Sequence, residues 1–380
     1  MPKVVAWGTL LIGVAGGAAR ADDTTGDEAP LQVHGFASEG ALLTSDNNYL
    51  AHTERGSLEF AEAGINFTKS FDDQLSIGLQ LFARDLGDTG SYAATFDWLY
   101  VDYRWRDWLG LRAGRVKLPF GLYNDTSDID AAQPVILLPQ AVYPATNRNL
   151  LLAQTGLELY GYQPIGSAGA LDYHVYAGTL YLSLPSGNGI QINALDVPYI
   201  AGGRAMWETP LDGLRVGASA LVGEIDGSFT VLAMPGSAAV TLEQRSKVWL
   251  SSAEYVNRDL SLAAEYGRTT TDTTVGTASA HTTGEAAYGL AGYRWRPWLQ
   301  TTAYYSLLHP DVRQRSGRDH HQYDAAGSVR FDLSSHWIVK LEAHFLQGTA
   351  ALSSQLNDNK PLSDLVNQWW LVAAKTTVYF

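Results

Sequence analysis

The chain has 380 residues, 39 acidic against 26 basic side chains for a formal net charge of −13, no cysteine, and 46% hydrophobic residues at a mean hydropathy of −0.10. The acidic balance argues against nucleic acid as a partner, and the lack of cysteine excludes both a disulfide framework and a lipidated N-terminal cysteine. So high an apolar content at near-neutral hydropathy is what period-two alternation of apolar and polar residues produces.

Residues 1 to 21 read as a cleaved secretory signal: Lys3 gives the basic start, Val4 to Gly17 the apolar segment, and Ala19-Arg20-Ala21 a small-x-small cleavage site before Asp22. The apolar segment is too short to span a bilayer, and nothing after it supplies the ~20 consecutive apolar residues a membrane helix needs. Removing residues 1 to 21, with Lys3 and Arg20, leaves 24 basic and 39 acidic residues, a formal charge of −15.

From Gln32 onward, stretches of ten to fourteen alternating residues are joined by tight and long connections in strict rotation. Tight turns rich in Asp, Asn, Gly, Pro or Ser fall near Phe71-Asp72-Asp73, Arg106-Asp107, Ile165-Gly166-Ser167, Leu211-Asp212-Gly213, Asn257-Arg258-Asp259, Arg296-Pro297 and Leu333-Ser334-Ser335. Longer polar segments are expected at residues 46 to 56, 86 to 95, 118 to 154, 181 to 197, 224 to 243, 269 to 284, 309 to 320 and 348 to 366. Eight hairpins make sixteen strands. The pattern predicts an all-β chain in which residues 22 to 380 form one 16-stranded antiparallel transmembrane barrel, with short periplasmic turns and long extracellular loops. A secreted β-sandwich or β-helix also alternates, but long strands paired by very short turns argue against it.

The strands carry the required faces. Leu75, Ile77, Leu79 and Leu81 oppose Gln80 and Arg84, and Trp337, Val339, Leu341, Ala343 and Phe345 alternate with Lys340, Glu342 and His344. Such polar rows are costly in a dry core and solvated in a wet lumen. Trp105, Trp108, Trp207, Trp295, Trp298 and Trp337 sit beside tight turns and are expected to form an interfacial girdle. In the last strand Trp370, Val372, Ala374, Thr376, Val378 and Phe380 share one face, with Lys375 and Thr377 on the other. This ending resembles the terminal strand of bacterial outer-membrane barrels, which implies that Phe380 is an assembly signal read by the barrel assembly machinery.

Gly114-Arg115-Val116-Lys117-Leu118-Pro119-Phe120-Gly121 is the most distinctive run. It resembles the Gly-Arg-x-Lys-x-Pro-Phe-Gly stretch of the phosphate-selective porin O and P family. The resemblance implies a trimeric outer-membrane porin of sixteen strands, an anion preference, and a constriction with Arg115 and Lys117 beside the third extracellular loop. Strand parity complicates this, because Arg115 and Lys117 share the parity of Leu109 and Leu111 while Arg112 does not. Either a bulge near Gly114 re-aims the strand or Arg115 lies above the hydrocarbon.

The third loop, residues 118 to 154, is the longest and holds an apolar run from Val135 to Leu138, so it is expected to fold inward and narrow the channel. Asp125, Asp128 and Asp130 would then face Arg112, Arg115, Lys117 and Arg148 across a transverse field. The pore constriction is accordingly assigned to Arg112, Arg115, Lys117, Asp125, Asp128 and Arg148. Other lumen-lining candidates from parity include Arg84, Arg104, Arg215, Lys340, Glu342 and Lys375, of mixed sign.

The expected function is an outer-membrane porin: a passive diffusion channel for small hydrophilic solutes or ions, with no covalent step, cofactor or metal. Lipid, lipopolysaccharide and further copies in a homotrimer are the expected partners. The competing readings are an outer-membrane barrel hydrolase, for which His320-His321 and His344 offer candidates without a Gly-x-Ser-x-Gly motif, and a non-conducting receptor or adhesin barrel.

Overall fold

The computed structural model describes residues 30–87, 90–181, 190–231 and 239–380. The secretory signal expected at residues 1 to 21 lies outside these. Sixteen antiparallel strands pair in sequence order, and the last closes onto the first: β1 (Gln32–Thr44), β2 (Ala61–Ser70), β3 (Leu75–Asp85), β4 (Thr95–Arg106), β5 (Leu109–Lys117), β6 (Ala153–Pro164), β7 (Ala170–Thr179), β8 (Ile190–Glu208), β9 (Leu214–Val231), β10 (Val240–Asn257), β11 (Leu260–Val275), β12 (Ala278–Arg296), β13 (Leu299–His309), β14 (Gln322–Ser334), β15 (Trp337–Gly348) and β16 (Gln368–Tyr379). Consecutive strands joined by tight turns must pair as hairpins, and closing the ring leaves its backbone donors and acceptors satisfied.

The seam is made by the chain end. Phe380 exchanges backbone hydrogen bonds with Gly35 at 3.1 and 3.0 Å, and its ring covers that glycine so closely that a Cβ there would lie 2.6 Å from it. Outward side chains are apolar and uncovered, among them Leu99, Val101, Leu157, Leu159, Val175, Leu341, Phe345 and Val372. The girdle tryptophans Trp105, Trp108, Trp207, Trp295, Trp298 and Trp337 are all exposed at the rim of short turns. The opposite face is polar and buried, as Gln80, Asp102, Glu158, Ser219, Asp324, Arg330 and Lys340 illustrate.

Each expected tight turn falls at a junction between consecutive strands, although Arg106, Asn257, Arg296, Leu333 and Ser334 still belong to the strands, and several loop boundaries differ. The first loop runs over residues 45–60, beyond the expected 46 to 56, and the third ends before Ala153. The largest corrections concern the segments expected to be loops at 181 to 197, 224 to 243 and 269 to 284. There β8 begins at Ile190, β9 continues to Val231, and only Gly276 and Thr277 separate β11 from β12. The reason is physical. Residues such as Thr269 to Thr274 and His281 to Thr283 pair across the hairpin in unbroken register, yet both faces are polar, so the alternation that marks a half-apolar strand disappears while the ladder continues.

Candidate functional site

The third loop, residues 118–152, enters the barrel and lies across its interior. Leu118 and Leu152 pair at its neck at 2.9 Å, and between them the loop makes short 3-10 turns and one helical turn, Arg148–Leu151. Its apolar residues divide between two buried clusters. Phe120, Val135, Leu138, Val142 and Tyr143 pack on Leu221, Leu250, Tyr288, Leu290 and Tyr304 of the wall. Ile136 and Leu137 pack on Leu346, Trp369, Leu371 and Ala373, with Tyr49 and Leu50 of the first loop and Leu352 and Leu365 of the last.

Polar groups of the wall fix the loop backbone. Glu342 accepts from the N–H groups of Ile136 and Leu137 at 2.6 and 2.9 Å, and Arg330 donates to the carbonyl of Ala131 at 2.7 Å. Ser219 accepts from the Gly121 N–H at 2.9 Å, and Glu265 accepts from Leu122 N–H and from the Tyr143 hydroxyl. Asp130 is held by Lys340 at 3.0 Å, Lys375 at 3.3 Å and the Thr377 hydroxyl at 2.8 Å. Lys340 has no solvent exposure, and breaking such a buried pair leaves an uncompensated charge.

The residues assigned to the constriction fall into separate pairs. Arg112 points inward, donating to Asp102 at 3.0 Å and Glu158 at 3.2 Å. Lys117 reaches Asp128 at 2.6 Å and the Asp125 carbonyl at 2.8 Å; Asp125 pairs with Arg204 at 2.7 Å, and Arg148 with Asp97. Arg115 donates Nε to the backbone carbonyl of Asp97 at 2.9 Å. Gly114 stands at φ +128, where a Cβ would meet the Leu99 carbonyl at 2.4 Å, yet β5 pairs with β4 and β6 through it without a register shift, so no bulge sits there; Val116 keeps the inward parity of Arg112, and Arg115 and Lys117 reach their partners from the other parity.

Of the other candidates, Lys340, Glu342 and Lys375 point inward but end on the third loop or on Glu62, which Lys375 meets at 2.7 Å. Arg84 reaches Glu62 at 3.4 Å and the Ala145 carbonyl at 3.2 Å, and Arg215 pairs with Glu254 at 3.0 Å near the turn side. Arg104 lies near the same rim, exposed. Asp97 escapes a parity reading because the β3–β4 register shifts: Gln80 faces Trp98 and Leu81 faces Phe96, leaving Asp97 as the extra residue. His344, a candidate base, has both ring nitrogens engaged, Nδ1 by Asp324 at 3.0 Å and Nε2 by Glu342 at 2.9 Å, and lies buried under the loop. Among the described residues no group of three or more His, Cys, Asp or Glu is placed to hold a metal ion.

Burial alone would raise the Asp130 carboxyl, but Lys340 and Lys375 beside it, with hydrogen bonds from Lys340 and Thr377, hold it well below the usual carboxylate range. Burial would likewise raise Asp128, which Lys117, Arg148 and a hydrogen bond from Gln80 hold low. A depressed carboxylate contributes stability that is present above its unfolded value, about 3.9 for Asp, and is lost as pH falls through the folded value. The loop is therefore expected to stay seated at pH 4, with conductance per unit of bath conductivity unchanged from pH 7. A rise already complete between pH 6 and 5 would show that these carboxylates do not hold it.

Against β4 to β7 the loop leaves a cavity of about 190 Å³, lined by Trp98, Tyr100, Arg112, Lys117, Asp125, Glu158 and His174 among others. Charged, aromatic and loop groups thus meet at one opening beside the wall.

No protein-family model matches the chain, and no curated protein matches it. Solved structures of the same architecture do. They include outer-membrane expressed OmpT of Vibrio cholerae, at TM-score 0.61 and 11% identity over 94% of this chain and 100% of that one. An anion-selective porin from Comamonas acidovorans matches at TM-score 0.55 and 12% identity, over 92% of this chain and 99% of that one. The outer membrane channel DcaP of Acinetobacter baumannii matches at TM-score 0.54 and 9% identity, over 92% and 97%. The likeness is one of fold: this chain is a porin-like barrel, and at such identities the chemistry of its lumen has to be read from its own residues.

Proposed function

We propose that the chain is an outer-membrane porin, a passive channel for small hydrophilic solutes or ions, narrowed by its third loop and performing no covalent step. The observation that carries this reading is the inversion of the barrel: apolar side chains uncovered outside, a girdle of tryptophans at one rim, and a polar interior crossed by a loop. In water that outer surface would be a large exposed patch, whereas against hydrocarbon it is in its proper solvent. The constriction is Arg112, Arg115, Lys117, Asp125, Asp128 and Arg148 against the wall, with Arg84, Arg104 and Arg215 among the remaining inward charges. Phe380 acts as the assembly signal, lipid and lipopolysaccharide surround the belt, and a homotrimer is the assembly, a form named for one OmpT structure of Vibrio cholerae. The family resemblance favours anions, while the pairing of Arg112, Lys117, Arg148 and Arg204 with carboxylates favours weak selectivity.

The test is single-channel recording of the refolded mature chain in a planar bilayer, with the reversal potential taken across a salt gradient. Steady openings with a reversal potential within a few millivolts of zero are expected. A correctly folded barrel that never opens would overturn the reading and redirect attention to a barrel hydrolase or a non-conducting receptor.

A further inference from the structure

The opening beside β4 to β7 has a chemistry that size exclusion does not require. Trp98 and Tyr100 stack at 5.4 Å and 28° along one face of β4. Arg112 lies between two rings, 5.3 Å from the centre of Tyr100 and 4.2 Å from that of Tyr160, and Tyr160 stacks in turn on His174 at 6.1 Å and 20°. The rings form a continuous ladder from the loop side of the barrel toward its turn side. Two of them are seated on glycines: a Cβ on Gly78 would come within 2.9 Å of the Trp98 ring, and one on Gly110 within 2.3 Å of the Tyr160 ring. Without side chains opposite them, these rings lie against the wall.

The charges along the ladder are spent on one another. Arg112 holds Asp102 and Glu158, Lys117 holds Asp128, Arg204 holds Asp125, and His174 meets Glu158 at 2.6 Å and Asp172 at 3.2 Å. An entering ion of either sign would have to break a pair that already satisfies its partner. Meanwhile the indole Nε1 of Trp98, on the lining, has no hydrogen-bond partner among the described residues although it is buried. The same holds for Oδ1 of Asp125, also on the lining, and for Nε of its partner Arg204. These enclosed atoms lie behind the lining, whose accessible polar side chains beside the aromatic surface are Arg112 and Asp125.

From this arrangement we infer that the opening is a binding site for a small neutral carbohydrate. The solute's C–H faces lie on the Trp98–Tyr100 platform while its hydroxyls, each able to donate and accept, pair with the accessible edges of Arg112 and Asp125. A hydroxyl leaves the Arg112–Glu158 and Arg204–Asp125 pairs intact, which a phosphate or an ammonium ion does not. The inference rests on the pore reading for its physiological sense, but binding itself can be measured without conductance.

The experiment titrates maltose against the ion current of the reconstituted mature chain, with inorganic phosphate in parallel. The same maltose titration is read by tryptophan fluorescence of the folded barrel in detergent. Maltose is expected to reduce the current saturably, whereas phosphate at equal concentration is not. Trp98→Leu is expected to raise the half-saturating maltose concentration about tenfold, and Trp98→Phe, which keeps a ring, by less. A channel that conducts but whose current and fluorescence ignore maltose, or respond to phosphate in its place, overturns the carbohydrate site and leaves the pore standing. A silent barrel whose fluorescence still saturates with maltose overturns the pore and leaves the site. Should Trp98→Leu fail to fold, the ranking of wild type over Trp98→Phe carries the comparison; equal affinity in both would overturn the role of Trp98.

Discussion

Replacing Asp130 by alanine is expected to raise the single-channel conductance severalfold and to make the current noisy. Asp130 is the point at which the third loop meets the wall opposite its own origin: Lys340 of β15, Lys375 of β16 and the Thr377 hydroxyl converge on one carboxylate. Its removal strands the ammonium of Lys340, which has no solvent exposure and whose other partners are the carbonyls of Asp130 and Val135. Breaking a buried pair in this way costs about 3–5 kcal/mol, more than neighbouring hydrogen bonds worth ~1 kcal/mol each can offset. The free energy is lost from the seat of the loop and not from the strand ladder, so the barrel should remain closed while the loop leaves its position. The measurement is conductance together with the gel-migration difference between boiled and unboiled protein. A folded Asp130→Ala barrel with unchanged conductance would mean that the apolar clusters alone hold the loop.

Leu341→Arg is expected to impair insertion without touching the lumen. Leu341 projects outward from the middle of β15, half exposed, beside the fully buried Lys340 whose side chain takes the opposite direction. A charge on the outer face of a barrel costs about 2–4 kcal/mol at the bilayer midplane and little near the interfaces. Urea-dependent folding into phospholipid vesicles should shift by that amount for Leu341→Arg, while Trp337→Arg at the rim, where the interface begins, shifts far less. Equal penalties at both positions would show that the apolar band does not face hydrocarbon.

The ring itself was legible because each hairpin repeats one local rule, an apolar-out alternation closed by Asp, Asn, Gly or Pro turn chemistry. The third loop's entry into the lumen was signalled by Val135 to Leu138, four apolar residues that a solvated loop has no use for. What stayed hidden depends on register. Asp97 faces inward only because of the irregularity between Gln80 and Leu81, and Asp130 meets Lys340 and Lys375 from more than 200 positions away in sequence. Lys340, Glu342 and Lys375 lie on the buried face of their strands, yet no pattern within a strand reveals that a loop from elsewhere covers them. The Trp98–Tyr100–Tyr160–His174 ladder was hidden likewise, since it assembles from three strands whose relative stagger the sequence does not spell out.

The length of β8 to β12 has a consequence of its own. A 19-residue strand such as β12 spans about 60 Å of chain and, tilted near 45°, stands about 40 Å tall against a hydrocarbon layer of about 30 Å. On the loop side β7 accompanies β8 only as far as Ile200, and β13 accompanies β12 only as far as Glu285. Above those points the five strands are no longer part of a ring but an open sheet standing in water, with two margins among the described residues. One margin, on β8, is broken by register shifts between Ile192 and Ala194 and between Asp196 and Tyr199, and contains Pro198, which has no N–H to offer an incoming strand. The other, Ala278 to Thr282, is built of small and polar residues and ends where the Thr283 carbonyl accepts from the Val312 N–H at 2.8 Å. One polypeptide therefore obeys two sets of rules: in the closed ring it is protected from edge-to-edge association by having no edges, and above the ring by the irregularity of the edges it has.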